Sequence, residues 1–315
     1  MKLHRNSILW DNVYWGFQYK GETTMKTKAF KLNTFAKSAG GGNEAGVVPQ
    51  ADFLPESAMK HIAAIFGFSE TAFVMESNCA DYRVRFFTPT EEVDLCGHAT
   101  VGTYFTLASE GHIKPGSYLS ETKAGILKVE VKEDLSVWME QPAPGFFETV
   151  PPEEIAETLN IPVDRLMEDL PVQAVSSGLK DILVPVKNIG VLNSIVPDFR
   201  GIEKVSSKYH AVGYHVFTLD SLFASTAHCR NFAPLYGIPE ESATGTSNGA
   251  LGCYLFKYGK VSSVQAYGMV MEQGYTMGKP SEIFVSLTVE GESIVKTHVG
   301  GKALNLSQVE MEVPE

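Results

Sequence analysis

Residues 83–89 read RVRFFTP and residues 228–234 read HCRNFAP, so Arg-x-Phe-x-Pro occurs twice: as Arg85, Phe87, Pro89 and as Arg230, Phe232, Pro234. Behind the first copy comes CGHATVGTYFTLASEG, starting at Cys96, and behind the second comes TGTSNGALGCYLFKYG, starting at Thr244. The motifs stand 145 residues apart and the following segments 148 apart, which places a three-residue insertion in the second connecting loop. Within the segments Gly97 matches Gly245, Leu107 matches Leu255 and Gly111 matches Gly259. Matches in a shared order at one period point to a duplicated supersecondary unit.

Both copies carry the same physical pattern. An extended segment precedes a Pro, a Gly turn rich in Ser and Thr follows, and then no Asp, Glu, Lys or Arg occurs until Glu110 in one copy and Lys257 in the other. A helix without a charged face has to be enclosed on nearly all sides. Short alternating or β-branched runs surround each, among them KAFKLNTF, TAFVME and ILKVEVKE in the first half and DILVPV, YHVFTL and SIVKTHVGG in the second. The expected fold is α+β, with two similar lobes, each a barrel-like, mostly antiparallel or mixed sheet around a central helix. Helices such as 55–67, with Pro at the start and Gly at the end, would cover the outside. The expected divisions are an N-terminal lobe over 25–140, a C-terminal lobe over 141–300 and a C-terminal tail over 301–315. Residues 1–24, polar and aromatic without sustained periodicity, read as a leader or an extra N-terminal arm, with Met25 as an alternative start.

Composition narrows the classes of function. Among 315 residues 44% are apolar and 20% charged, the mark of a folded domain able to bury a substantial core. A net charge of -11 without a Lys/Arg run argues against nucleic acid or an anionic membrane as partner. Cys79, Cys96, Cys229 and Cys253 are scattered without CxxC spacing, so no metal site and no redox pair is signalled. GGGN at 40–43 lacks the Gly-Lys-Ser/Thr ending of a phosphate-binding loop, and no cofactor motif is present. Without an apolar run of membrane-spanning length or a secretory h-region, the expected compartment is the cytoplasm.

The two Gly turns carry the chemistry. Gly97-His98-Ala99 and Gly245-Thr246-Ser247 each open a helix whose first amides lack internal acceptors, so each is a potential anion cradle. Two such ends facing one another would grip a carboxylate. Glu70, between a helix-ending Gly and an apolar strand, is placed for proton transfer to a neighbouring carbon; its alternative is a cap or a solvated charge. His98 carries the side chain whose ordinary pKa lies near neutrality, or is a hydrogen-bonded core histidine. Glu241 precedes the second turn and could face His98 across a lobe interface, or, like Glu240, be a surface carboxylate. Cys96 at a helix start could act as a base, but Thr244 stands at its counterpart, which argues against a two-thiol racemase.

These stretches resemble the phenazine-biosynthesis PhzF-like family, within the diaminopimelate-epimerase fold superfamily. The resemblance rests on GGNEAGVV (41–48), SETAFV (69–74), RFFTPTEEVDLCGHAT (85–100), MEQPAPGF (139–146) and ATGTSNG (243–249), in the family's order. It implies a cleft between two lobes, a homodimer, and cofactor-free isomerisation of a small carboxylate. It further implies Glu70 as the acid/base, assisted by His98 and Glu241, with Asn43, Cys96, Gly97, Thr244, Gly245, Thr246 and Ser247 around the substrate. Glu241 stands where the family often has Asp, and Asn33 stands where its early strand often has Asp. A Cys96-dependent racemase or epimerase, or a binding protein without turnover, are the competing expectations.

Overall fold

In a computed structural model, residues 24–314 are described. The first lobe takes in strands β1 (Thr24–Thr34), β2 (Asn43–Val48), β3 (Thr71–Met75), β4 (Tyr82–Phe87), the short β5 (Glu92–Val93), β6 (Gly116–Thr122), β7 (Gly125–Val131) and β8 (Val137–Gln141). Helix α1 (Glu56–Phe66) lies between β2 and β3, and α2 (Gly97–Ser109) follows β5. The second lobe begins with β9 (Gly145–Thr149) and α3 (Pro152–Leu159), then β10 (Gln173–Ser176) and β11 (Lys180–Pro185). Next come α4 (Ile189–Ser194), α5 (Phe199–Lys208), β12 (Tyr214–Thr218), β13 (Ala227–Ala233), β14 (Ile238–Glu241) and α6 (Gly245–Lys257). The lobe closes with β15 (Met269–Gln273), β16 (Ser281–Glu290) and β17 (Ser293–Gly301), and β18 (Ala303–Pro314) ends the described chain.

Strand pairing makes the duplication explicit. In the first lobe the neighbours run β18, β1, β2, β3, β4, β6, β7, β8, with β2–β3 and β4–β6 parallel and the other neighbours antiparallel. In the second they run β9, β10, β11, β12, β13, β15, β16, β17, with β11–β12 and β13–β15 parallel and the rest antiparallel. Both orders show the same succession of directions, and β5 and β14 are matching spurs on β4 and β13. The lobes join where β8 pairs antiparallel with β17, Met139 opposite Val299. Beyond the second lobe the chain returns to the first: β18 pairs with β1, from Thr34 opposite Ala303 to Thr24 opposite Pro314. The alternation that buries Met311 and Val313 while Glu312 points outward holds it there.

The central helices keep polar residues in the core by satisfying them locally. Thr100, Thr103 and Thr106 of α2 are buried, and each hydroxyl donates to the carbonyl four residues earlier, at 2.7–2.8 Å. In α6, Gly249 and Gly252 let the helix approach the sheet: a Cβ on the first would sit 2.8 Å from Val299 and Ser177, on the second 2.7 Å from Val285. One apolar core runs through both lobes, joining Tyr104 and Leu107 of α2 to Leu251 and Tyr254 of α6. On the outside, α1 buries Ala58, Met59, Ile62 and Ala63, and Gly67 in the left-handed region ends it. No helix among the described residues is long and apolar enough to cross a membrane.

The repeated Arg-x-Phe-x-Pro motif is a clamp. Arg85 meets Glu92 with two hydrogen bonds of 2.8 Å, and Arg230 meets Glu240 with two of 2.9 Å. Each guanidinium also lies over the Phe two residues on, Phe87 or Phe232, 4.9 Å from the ring centre. The inserted three residues lie between Arg and Glu, so the clamp is kept while the loop above it lengthens. Each clamp fixes the spur that leads into a central helix.

Candidate active site

Local chain geometry delivers Glu70 to the entrance of α2. The left-handed turn at Gly67 reverses the chain into β3, and Glu70 occupies the last position before that strand. Its Oε2 lies 3.5 Å from Nε2 of His98, the second residue of α2. Ser69 Oγ lies 3.4 Å from the same nitrogen, and the Sγ of Cys96, which caps α2, lies 3.3 Å from His98 Nδ1. Burial lowers the His98 pKa, with the Glu70 charge opposing it, so the ring is held toward its neutral form. The Cys96 thiol goes the other way: burial and the charges of Glu70 and Glu241 push it well up, which disfavours a resting thiolate.

The second lobe contributes the facing half. Glu241 ends β14; its Oε2 accepts from Thr244 Oγ1 at 2.6 Å and its Oε1 from Asn43 Nδ2 at 3.1 Å. The Asn43 bond crosses between lobes, as does the 3.0 Å bond from Ser242 Oγ to the Gly42 carbonyl. Burial pushes the Glu241 carboxyl up to about 7; Thr244 and Asn43 pull it down, and the charges of Glu70 and Asp181 add to the rise. The turn is pinned by Gln273, which donates to the Glu241 carbonyl and Thr244 Oγ1 and accepts from Thr244 N–H and Asn248 Nδ2.

The two helix entrances are equivalent, with Cys96 capping α2 and Thr244 capping α6. The first intrahelical bonds run from Thr100 N–H to Cys96 O and from Asn248 N–H to Thr244 O. The amides of Gly97 and His98, and those of Gly245, Thr246 and Ser247, therefore precede the helical ladder, at the positive dipole ends. Gly97 stands over Met139 and Gly245 over Val299, the pair that joins β8 to β17, and α2 and α6 contact one another. Asn33, by contrast, is engaged on β1, where its Oδ1 accepts from Asn305.

Sequence reasoning did not single out the residues behind α6. Ser247 Oγ donates to Asp181 Oδ2 at 2.6 Å and accepts from Asn231 Nδ2 at 3.1 Å. Asn231 Nδ2 also meets His215 Nδ1, and His215 Nε2 meets Asn248 Oδ1, each at 3.1 Å. An amide donor at Nδ1 and a carbonyl acceptor at Nε2 fix a neutral ring protonated on Nε2, and burial accordingly pulls His215 down to about 4. Burial pushes Asp181 up to about 7 against the Ser247 hydrogen bond. The available signal was a polar residue within a strand-like run: Asp181 opening DILVPV and His215 inside YHVFTL. Ser247, expected at the substrate, has its hydroxyl engaged with Asp181 and offers only its backbone amide.

One donor of each type from Glu70, Cys96 and His98 lies within 4.8 Å of the others, but Cys96 Sγ is on the other side of the ring from the nitrogen that faces Glu70, so the three side chains do not fit one ion.

Comparison with known proteins agrees with this architecture. Residues 32–308 match the PhzC-PhzF family, described as phenazine biosynthesis-like protein. The chain is 34% identical over 286 residues to "Uncharacterized isomerase YfhB" of Bacillus subtilis (strain 168), covering 89% of this chain and 96% of the relative. It is 26% identical over 282 residues to trans-2,3-dihydro-3-hydroxyanthranilate isomerase of Pseudomonas chlororaphis, covering 88% and 96%. The crystal structure of the Bacillus anthracis phenazine biosynthesis protein of the PhzF family superimposes with a TM-score of 0.81 at 33% identity, covering 91% of this chain and 99% of that one.

Proposed function

The chain belongs to the PhzC-PhzF family, and from that premise we propose that it is an isomerase that moves a proton on a small carboxylate by acid/base chemistry between its lobes. The observation that carries this reading is the placement of Glu70 3.5 Å from His98 at the entrance of α2, with Glu241 at the entrance of α6 close enough for Glu70 to raise its pKa.

In this reading the substrate carboxylate lies against the free amides that open α2 and α6, and the carbon beside it faces Glu70. The Glu70 carboxylate takes the proton from that carbon, the C–H electron pair moves into the conjugated system, and the helix amides stabilise the resulting negative charge. Glu70 then returns the proton to a different carbon, so atoms and charge balance without a further reactant. His98, neutral, orients Glu70 and donates to it. Glu241, protonated up to about pH 7, offers a hydrogen-bond donor to the substrate from the opposite lobe. Cyclic or unsaturated amino and hydroxy acids fit this chemistry.

The test is deuterium incorporation from D2O into a panel of such acids by the wild type and by Glu70→Gln. Incorporation by wild type, reduced by ~10²–10⁴ in the variant while ligand binding persists, is the expected result. Binding of a panel member with no exchange in the wild type would sink the catalytic reading.

A further inference from the structure

The two lobes differ behind their equivalent helix entrances. Asn231 of β13 lies opposite His215 of β12, and Phe86 of β4 opposite Ala72 of β3; Asn231 and Phe86 each follow the Arg of the repeated motif by one residue. On the neighbouring parallel strand, Asp181 stands two residues before the partner of His215, and Ala45 two before the partner of Ala72. Ser247 and Ala99 are each the third residue of their helix. In the first lobe all four positions, Ala45, Ala72, Phe86 and Ala99, are apolar core. In the second lobe Asp181, His215, Asn231 and Ser247 are buried as well, and all are polar. The scaffold thus accepts apolar side chains at these positions, and burying a carboxyl group and an imidazole there gives the fold nothing that packing would not.

Two tethers run from the polar set to α6. Ser247 donates to Asp181 at 2.6 Å, and His215 Nε2 donates to Asn248 Oδ1 at 3.1 Å. Asn231 links them, donating to Ser247 Oγ and to His215 Nδ1. Asn248 in turn donates to Gln273, which bonds the Glu241 carbonyl and Thr244. Ser247 and Asn248 directly follow Gly245 and Thr246, so the tethered residues carry or adjoin the free amides of the turn. The entrance of α2 has no such anchor: Ala99 lacks a polar side chain, and the Thr100 hydroxyl turns back to the carbonyl of Cys96, its own cap. We propose that Asp181 and His215 are positioning residues for the isomerase: through Ser247 and Asn248 they fix the first turn of α6, so that its free amides are aimed at the substrate carboxylate before substrate arrives. Amides held in place in advance need no reorganisation to meet an anion.

The role toward substrate rests on the proton-transfer reading above; the tether does not, and it is measured without a ligand. Hydrogen exchange of the full chain at pH 7, read by mass spectrometry, compares peptides over 245–252 and 97–104. Their amides from Asn248 and Thr100 onward close the first turn of each helix. In Ser247→Ala, Asp181→Ala and His215→Phe, each checked for folding by circular dichroism, the first peptide should exchange about ten-fold faster and the second should not change. Ser247→Ala copies Ala99 and is the mildest of the three. Asp181→Asn still accepts from Ser247 and His215→Gln still donates toward Asn248, so both should return the rate toward wild type. Equal loosening of the two peptides, or unchanged protection of the first, would overturn the tether. In the D2O assay, kcat/KM for an acid that wild type exchanges should fall ~10–100-fold in the loosened variants, mainly through KM, and recover in Asp181→Asn and His215→Gln. A loosened turn with unchanged kinetics, or a loss in kcat alone, would overturn the role toward substrate. A wild type that exchanges no panel acid sinks the isomerase reading and that role together, while amide exchange still decides the tether.

Discussion

Thr244 donates a 2.6 Å hydrogen bond to Glu241 while occupying, at the entrance of α6, the position that Cys96 occupies at the entrance of α2. The duplicated scaffold therefore carries different chemistry at its two equivalent ends. One end holds a thiol beside a neutral imidazole and Glu70; the other holds a hydroxyl that supports a carboxyl charged only near or above neutrality.

The Thr244 hydroxyl is one of two side-chain donors that hold Glu241 down against burial. Thr244→Val keeps the shape and removes the donor, so the Glu241 carboxyl should titrate above its value of about 7. Carboxyl-carbon NMR of the variant and the wild type would read this directly, and an unchanged or lower midpoint would contradict it.

If protonated Glu241 serves the substrate as a donor, Glu241→Gln supplies a permanent donor of similar size. The variant should retain exchange below about pH 7 and lose the decline that wild type shows as Glu241 ionises. A pH–rate profile of both proteins decides the matter; an unaltered high-pH limb would assign it to another group.

Asp181 binds its proton up to about pH 7 in the folded chain, against an ordinary value of 3.8. Between these limits the unfolded chain holds fewer protons than the folded one, so this residue's contribution to stability is fully present below the lower value and is lost as pH rises through the upper. Wild type minus Asp181→Asn, measured by urea unfolding, should therefore shrink from about pH 4 to about pH 7 by up to a few kcal/mol. His215, lowered to about 4, shifts stability oppositely, its share growing as pH rises from about 4 to 6.5. A difference between wild type and Asp181→Asn that grows with pH would refute the assignment.

The two clamps should differ in cost. Arg230 donates to the carbonyls of Leu192 and Ile195 as well as to Glu240, whereas Arg85 reaches Glu56 and Glu92 near the surface. Lysine cannot reproduce either fork. Thermal unfolding of Arg85→Lys should show a loss of about 1 kcal/mol and of Arg230→Lys about 2–3 kcal/mol, the latter leaving buried carbonyls without a donor. Equal losses would refute the ranking.

Alternation along β18 predicts a contrast between neighbours. Met311→Ala should cost ~2–4 kcal/mol, because Met311 is 6% exposed and packs in the cluster beneath α1, whereas Glu312→Ala should change stability by less than ~0.5 kcal/mol. Chemical denaturation of both variants checks the register of β18 on β1.

The fold was legible because helices without charge must be enclosed and because the repeat kept its Arg, Phe, Pro and Gly landmarks. Even the three-residue insertion fell between Arg230 and Glu240, where the structure has it. β18 was missed because its polar positions, Asn305, Ser307 and Gln308, mask a period-two pattern that becomes clear only beside β1. Glu70, Cys96, His98 and Glu241 were marked by their places beside turns. Asp181, His215 and Gln273 were not, because whether a polar strand residue points into the core depends on register, and register is set by distant strands.

The pairing of Thr24 with Pro314 bears on the chain's topology as a ring. If a linker joined those two ends and the chain were opened between Gln141 and Gly145, β18 through β8 would form one uninterrupted stretch and β9 through β17 the other. Each stretch would hold one whole lobe. The present order is thus a circular permutation of a simple tandem of two repeats, and in it each lobe has one end strand, β18 or β9, that the chain reaches by crossing from the other lobe.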